Sequence, residues 1–385
     1  MRHNDFAQSG LFHIEPKPFN RHSPIDQLRY CLGGTLYMPS TRTVVDRILD
    51  GSFQHICSLV MDFEDALRKE DLSRGENNVI GQLDKLSSEL SAGNISDDKI
   101  PLIFLRARSY EQFKSFSGRL TPELTNVLTG FVFPKFYSDN ARDYLEHLSE
   151  LNTRFDTTLY GMPILEGKTI AFKETRVEEL AALLKICRNY RQLILNIRVG
   201  GTDFSSFFGV RRSISSSIYD ILPVSDALTD ILNFFGRSEE GFVVSGPVWE
   251  YFLAYKKDDL EQVMADHLHQ ALRTRHPILN DAIDGLLREV MLDKANGFIG
   301  KTVIHPSHLT YVNAMQAVTR EEYEDARQIL NTTGGVIKSV KSNKMNEINP
   351  HRNWAKRILH LADAYGVVED EKTYAQIFRA GVHQT

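Results

Sequence analysis

Glu166 and Asp203 are two carboxylates that end, or directly follow, consecutive apolar runs, TLYGMPILEG at 158–167 and QLILNIRVGG at 192–201. With few nitrogen and no sulfur donors nearby, such a pair suits a hard divalent cation. Magnesium is the natural candidate, because it takes one or two carboxylates and fills its other positions with water and substrate oxygens. The competing reading is structural pairing, Glu166 with Lys168 and Asp203 with Arg211 or Arg212. Spacing alone leaves both open.

Arg106 ends a third apolar run, PLIFLRAR at 101–108. An arginine there must reach solvent or find carboxylate or anionic substrate partners. Asp62, Glu64 and Asp65, at the end of HICSLVMDFED, are the obvious partners. So oriented, the guanidinium could hold a substrate carboxylate bidentately or stabilise a developing enolate, and a purely structural ion-pair network is the equal alternative. Lys135 in GFVFPKF invites comparison with a Schiff-base lysine, whose pKa must be depressed. Nearby acidic groups would raise it instead, which favours an electrostatic or structural lysine. Arg108, Arg198 and His305 also close apolar runs, and His305 alone reads equally as an acid-base group or a turn histidine. No GxSxG elbow or Ser-His-Asp order is present.

The elements that must position these groups are eight runs rich in β-branched and aromatic residues, at 32–39, 55–65, 101–108, 130–136, 158–167, 192–201, 240–249 and 298–306. Their interiors are near-continuously apolar, as in a parallel sheet covered by helices. Helical spacing fills the gaps, for example at 177–190 and, interrupted at Pro277, at 258–293. Alternating strand and helix on this scale predicts an α/β fold, a (β/α)8 TIM barrel, whose usual size is roughly 250 residues and whose catalytic groups sit at the C-terminal ends of the strands. A doubly wound open sheet is the runner-up; it loses because no GxGxxG follows the first strand, where Gly33 and Gly34 lie inside the run. Beyond Pro306 the pattern predicts a helix at 320–330, a turn at Gly334 and Gly335, and a second helix at 353–365. The expected division is a barrel with an N-terminal extension at 1–315 and a helical C-terminal extension at 316–385, packed on the barrel or on a neighbouring subunit. Lys338, Lys341 and Lys344 read as a solvated loop.

The 385 residues are 42% hydrophobic, enough for a large core, and 45 Lys plus Arg against 50 Asp plus Glu leave a net charge of −5. That balance argues against nucleic-acid or membrane-surface binding. No apolar run approaches the roughly 18 residues of a membrane helix, and the opening stretch has no signal-peptide core, so a cytoplasmic location is expected. Cys31, Cys57 and Cys187 are widely spaced and odd in number, which predicts buried reduced thiols rather than disulfides or a zinc site.

Several strings, in order along most of the chain, resemble motifs of the citrate lyase beta-subunit and malyl-CoA lyase superfamily. LYMPSTR is similar to its first-strand motif, MDFEDA to its acidic motif, FLRAR to the strand of its essential arginine, and FVFPKF to its L-P-K strand. MPILEG resembles the strand of the first metal glutamate, VGGTDFSSFFGVRRS the metal-aspartate segment, and GFIGKTVIHPSHLTYVN the most specific signature. The chain departs from the family pattern at Gly167 and Lys168, which follow the glutamate, and in the phenylalanines beside Glu64 and Asp203; it looks closest to the divergent branch associated with tellurite-resistance gene clusters. The resemblance implies a TIM-barrel carbon-carbon lyase with magnesium on Glu166 and Asp203. It places Arg106 as the catalytic and substrate arginine beside the acidic pair Glu64 and Asp65. Lys135, Gly201 and Thr202 would contact substrate. The implied substrate is a 2-oxo or 3-hydroxy acid or its CoA thioester, cleaved through an enolate by a homo-oligomer. A thioester hydrolase on the same site and a non-catalytic scaffold barrel are the alternatives.

Overall fold

The computed structural model describes residues 1–5, 10–252, 281–339 and 344–382. After a short strand β1 (Phe12–Ile14), the chain lays down β2 (Gly34–Pro39), β3 (Ser58–Asp62), β4 (Leu102–Arg106), β5 (Gly130–Phe133), β6 (Tyr160–Leu165), β7 (Arg198–Val199) and β8 (Lys301–Val303). These last seven form one parallel sheet in the order β7-β6-β5-β4-β3-β2-β8. The run at 240–249 fills the gap between its two ends through isolated bridges, Ile197 to Val244 and Gly246 to Lys301. Val243 O accepts from Ile197 N, and Val244 O from Ile299 N, both at 2.9 Å. All eight apolar runs therefore take part in the predicted TIM barrel. The run at 240–249 does so without a regular strand, because Pro247 has no N–H to give a ladder.

Helices cover the outside, as the fully apolar strand interiors require. Ala141–Phe155 buries Tyr144, Leu145, Leu148 and Leu151, and Lys173–Asn189 buries Leu180, Leu183, Leu184 and Cys187. Strand register then decides which residues meet at the mouth. Pro39 stands beside Asp62, Asp62 beside Arg106, Arg106 beside Val132, and Ile164 beside Arg198. Gly130 allows the close pairing of β5 and β6, since a Cβ there would lie 1.9 Å from Tyr160 O.

After the barrel, Arg320–Asn331 starts at a capping box between Thr319 and Glu322. A turn through Gly334 and Gly335, at φ +65° and +85°, then leads into a hairpin of β10 (Val336–Lys338) and β11 (Met345–Glu347). The next helix is Ile348–Tyr365, earlier than the expected start at 353, because the hairpin feeds directly into it and Pro350 is tolerated in a first turn. A further helix, Lys372–Val382, was not anticipated. Nor is the lysine stretch a plain solvated loop: Lys338 lies in β10, and Lys344 pairs with Asp325 at 2.7 Å and Glu321 at 3.0 Å. Lys341 lies outside the described residues, as does most of the helical pattern at 258–293, of which Asp281–Asn296 is a helix. A small sheet joins both ends of the chain, with β12 (Val367–Val368) between β1 and β9 (Val318–Thr319). The three cysteines are free and buried. No described helix is long and apolar enough to cross a membrane.

Candidate active site

The C-terminal strand ends surround a cavity of about 690 Å³. Its lining includes Asp62, Asp65, Arg106, Glu166, Arg198, Gly201, Thr202 and Asp203, from four different strands or the turns after them.

On one side is Arg106, buried and surrounded by acid. Its Nε and Nη2 donate to the two oxygens of Asp62 at 2.6 and 2.5 Å, and Nη1 donates to Asp65 Oδ2 at 3.1 Å. The same Nη1 lies 3.0 Å from Glu64 Oε2. Asp62 is itself fixed by the backbone N–H groups of Glu64 and Ala66, at 2.9 and 3.1 Å. The expected partners are thus all in place, and burial, which disfavours the guanidinium charge, is outweighed by Asp62 and Glu64 so that its pKa lies well above the ordinary value. Lys135 Nζ is hydrogen-bonded to Glu64 Oε1. Although burial acts to lower the Lys135 ammonium, this bond and the charges of Glu64, Glu166 and Asp65 raise it. A raised pKa is contrary to the needs of a Schiff-base nucleophile.

Across the cavity is the carboxylate pair. Glu166 follows β6, and its Oε1 accepts from Lys135 N at 2.7 Å. Lys135 adopts a left-handed φ of +47° to present that N–H, a backbone cost of the sort concentrated at functional sites. Asp203 sits in the first turn of the helix Gly201–Phe207, which starts two residues after β7. Between the two is Gly200. A Cβ there would stand 2.3 Å from Glu166 Cβ and 2.9 Å from both Glu166 Oε2 and Asp203 Oδ2. Glycine therefore leaves room for two carboxylate oxygens to converge. Burial, then the charges of Asp203 and Glu64, push the Glu166 carboxyl up to about 8, and burial with Asp65 raises Asp203. Neither acid has the structural partner considered from spacing. Arg212 goes to Glu289, bidentately at 2.7 and 2.6 Å, and Lys168 lies over the Phe207 ring. Two oxygen donors destabilised by each other and by burial, with open space between, fit a hard divalent cation. Among the described residues no cluster of three or more His, Cys, Asp or Glu offers a competing metal site.

Gly201 and Thr202 line the cavity at the head of that helix, with Thr202 Oγ1 donating to Glu250 Oε1 at 3.4 Å. His305 does not line it. Its Nδ1 accepts from Ser307 N at 3.3 Å, and its ring stacks on Phe252 at 4.5 Å, as a turn histidine would. Arg108 donates to Phe63 O and Leu67 O, both at 3.2 Å, and is structural. Two contributors were not among the expected site residues. Tyr37 of β2 read as an apolar strand residue, yet its ring lies 5.5 Å from both the Arg106 and the Arg198 guanidinium carbons. Arg198 was visible as one of the strand-end charges, many of which were expected to point into the mouth, but its type and spacing assigned it no role in the site.

A family model described as C-C bond lyase of the TIM-barrel fold matches residues 26–367. Among solved structures, protein CitE from Mycobacterium tuberculosis, in complex with magnesium, acetoacetate and coenzyme A, is similar at 16% identity over 87% of this chain and 99% of its own, with a TM-score of 0.50. Haloferax volcanii malate synthase, as a magnesium/glyoxylate complex, is similar at 13% identity over 91% and 88%, with a TM-score of 0.51. No curated protein sequence matches the chain.

Proposed function

Since the chain belongs to the C-C bond lyases of the TIM-barrel fold, we propose that it makes or breaks a carbon-carbon bond in a 2-oxo or 3-hydroxy acid with magnesium held by Glu166 and Asp203. The observation that carries this reading is the convergence of the two carboxylates over Gly200 in a cavity that also holds Arg106. Magnesium in the complexes of CitE and of the malate synthase accords with the same donor chemistry. Bound there, it would supply Lewis-acid polarisation of an acid's carbonyl or hydroxyl oxygens.

The chain's own residues supply the rest. In the cleavage direction the 3-hydroxyl gives up its proton to solvent and becomes a carbonyl as the C2–C3 bond breaks, and the electron pair of that bond stays on the other fragment, conjugated with its own carbonyl, as an enolate. Negative charge then grows on an oxygen, and the fixed guanidinium of Arg106, which lines the cavity, is a preorganised source of positive charge for it. Asp62 and Asp65 hold that guanidinium in one orientation, so it needs no rearrangement as the charge develops. Lys135 holds Glu166 in place through its backbone and adds a second cation through Glu64.

The test is enolate formation itself. In deuterium oxide with magnesium, proton resonance should show the protein exchanging the C3 protons of pyruvate, and Glu166→Gln should abolish the exchange. Wild-type protein that exchanges none of pyruvate, oxaloacetate or acetoacetate above the protein-free rate contradicts the proposal.

A further inference from the structure

Arg106 and Arg198 flank one tyrosine ring in the same cavity, but their surroundings are opposite. Arg106 is neutralised by three carboxylates. Arg198 is only 1% exposed, and no carboxylate pairs with it among the described residues. Its Nη1 donates to Thr35 Oγ1 at 3.3 Å and its Nη2 to Thr302 Oγ1 at 2.7 Å, both uncharged acceptors, and its Nε has no partner. The Tyr37 hydroxyl beside it is also buried and unpartnered. Burial and repulsion from Arg106 both work against the charge on Arg198.

A buried guanidinium without a counter-charge is costly, and a protein keeps one where an anion arrives to satisfy it. Arg198 lines the cavity on the wall that also carries Glu166 and Asp203, since β7 pairs Arg198 with Ile164, two residues before Glu166. A hydrophobic residue on β7 would fill that space without the charge penalty, so a role limited to packing leaves the arginine unexplained.

We propose that Arg198 is the receptor for a second carboxylate of the substrate, distal to the oxygens taken by the Glu166–Asp203 site, and so selects short dicarboxylic acids. Thr35 and Thr302 are positioning residues that aim its fork, and Tyr37 O–H is an additional donor. The inference rests on the lyase reading for the placement of the other end of the acid, but the anion site itself does not require the metal.

The experiment is calorimetric titration with two stable probes that differ by one carboxylate, malate and lactate, with and without magnesium. Wild-type protein should bind malate about tenfold or more tighter than lactate. Arg198→Met should bring malate down to the lactate level and leave lactate unchanged. Because Arg198 is buried, unfolding midpoints are checked first. Thr302→Val, which keeps the arginine but frees its fork, provides a second reading and should reduce the malate preference several-fold. Equal binding of the two acids by wild type, or an unchanged preference in Arg198→Met or, if that variant does not fold, in Thr302→Val, overturns the inference. The two readings fail separately. Magnesium-dependent malate binding that survives Arg198→Met removes this inference and leaves the lyase site standing. Arg198-dependent binding indifferent to magnesium and to Asp203→Asn does the reverse.

Discussion

Every nitrogen of Arg106 is committed to a carboxylate, and two of those bonds form a bidentate fork with Asp62. A lysine at this position keeps one charge but cannot reproduce the fork. Arg106→Lys should therefore keep its fold, by circular dichroism, and lose at least about tenfold in the rate of C3 proton exchange, since groups of this kind contribute roughly 3 to 4 kcal/mol in comparable oxyanion sites. An unchanged rate removes Arg106 from the chemistry. Glu166 gives a second prediction at this scale. Its folded-state pKa of about 8 lies above its ordinary 4.5, so the metal-free folded protein holds a proton that the unfolded chain releases. The resulting contribution to stability is complete below about pH 4.5 and is lost as pH rises toward 8. Glu166→Gln, which cannot titrate, should flatten that part of the pH dependence of the unfolding midpoint in chelator, and magnesium should bind more tightly as pH rises through the same window. A parallel pH profile for the two proteins would show that Glu166 titrates normally.

At the scale of elements, the sequence made the apolar runs legible because parallel strands buried on both faces leave little room for polar residues until they end. The charges at those ends were legible for the same reason. What the pattern could not show is direction. Arg106, Arg198 and His305 all close apolar runs, yet the register turns the first two into the cavity, while His305 caps the turn Pro306–His308. Tyr37 was hidden because a tyrosine in a strand carries no mark of what its ring faces. The run at 240–249 shows another limit: apolar content marks a place in the barrel wall, but only isolated bridges form there, and Pro247 has no N–H to extend them into a regular ladder. The short segment after β7 makes a sharper test. Gly200→Ala places a methyl group where the Glu166 side chain and an Asp203 oxygen now lie. It should weaken magnesium binding by about tenfold or more in a calorimetric titration while the barrel still folds. Wild-type affinity in that variant would mean that the two carboxylates do not share an ion.

For the whole molecule, the two ends of the chain meet beneath the barrel, away from its mouth. Tyr365, at the end of the long tail helix, is fully buried, donates to Tyr30 O at 2.7 Å and stacks on His3 at 4.4 Å. The strands β1, β12 and β9 lie in the same region. Tyr365→Ala should cost about 3 to 5 kcal/mol of unfolding free energy, as truncation of a large buried aromatic side chain does. A cost below about 1 kcal/mol, within reach of surface substitutions, would show that the tail is an independent appendage. This closure was not legible beforehand, because a two-residue strand such as Val367–Val368 has no periodicity to read. The proposed chemistry requires above all that Glu166 and Asp203 jointly hold magnesium for an acid bound in the mouth. Thermal unfolding of wild type and Asp203→Asn, each with and without magnesium and with oxaloacetate or pyruvate, tests it most directly, because a ligand of the native state raises the midpoint by mass action. Magnesium with a 2-oxo acid should raise the midpoint of the wild type above that with the acid alone, and should leave Asp203→Asn at the midpoint the acid alone gives. An equal magnesium-dependent rise in both proteins, or none in the wild type, would contradict that joint site.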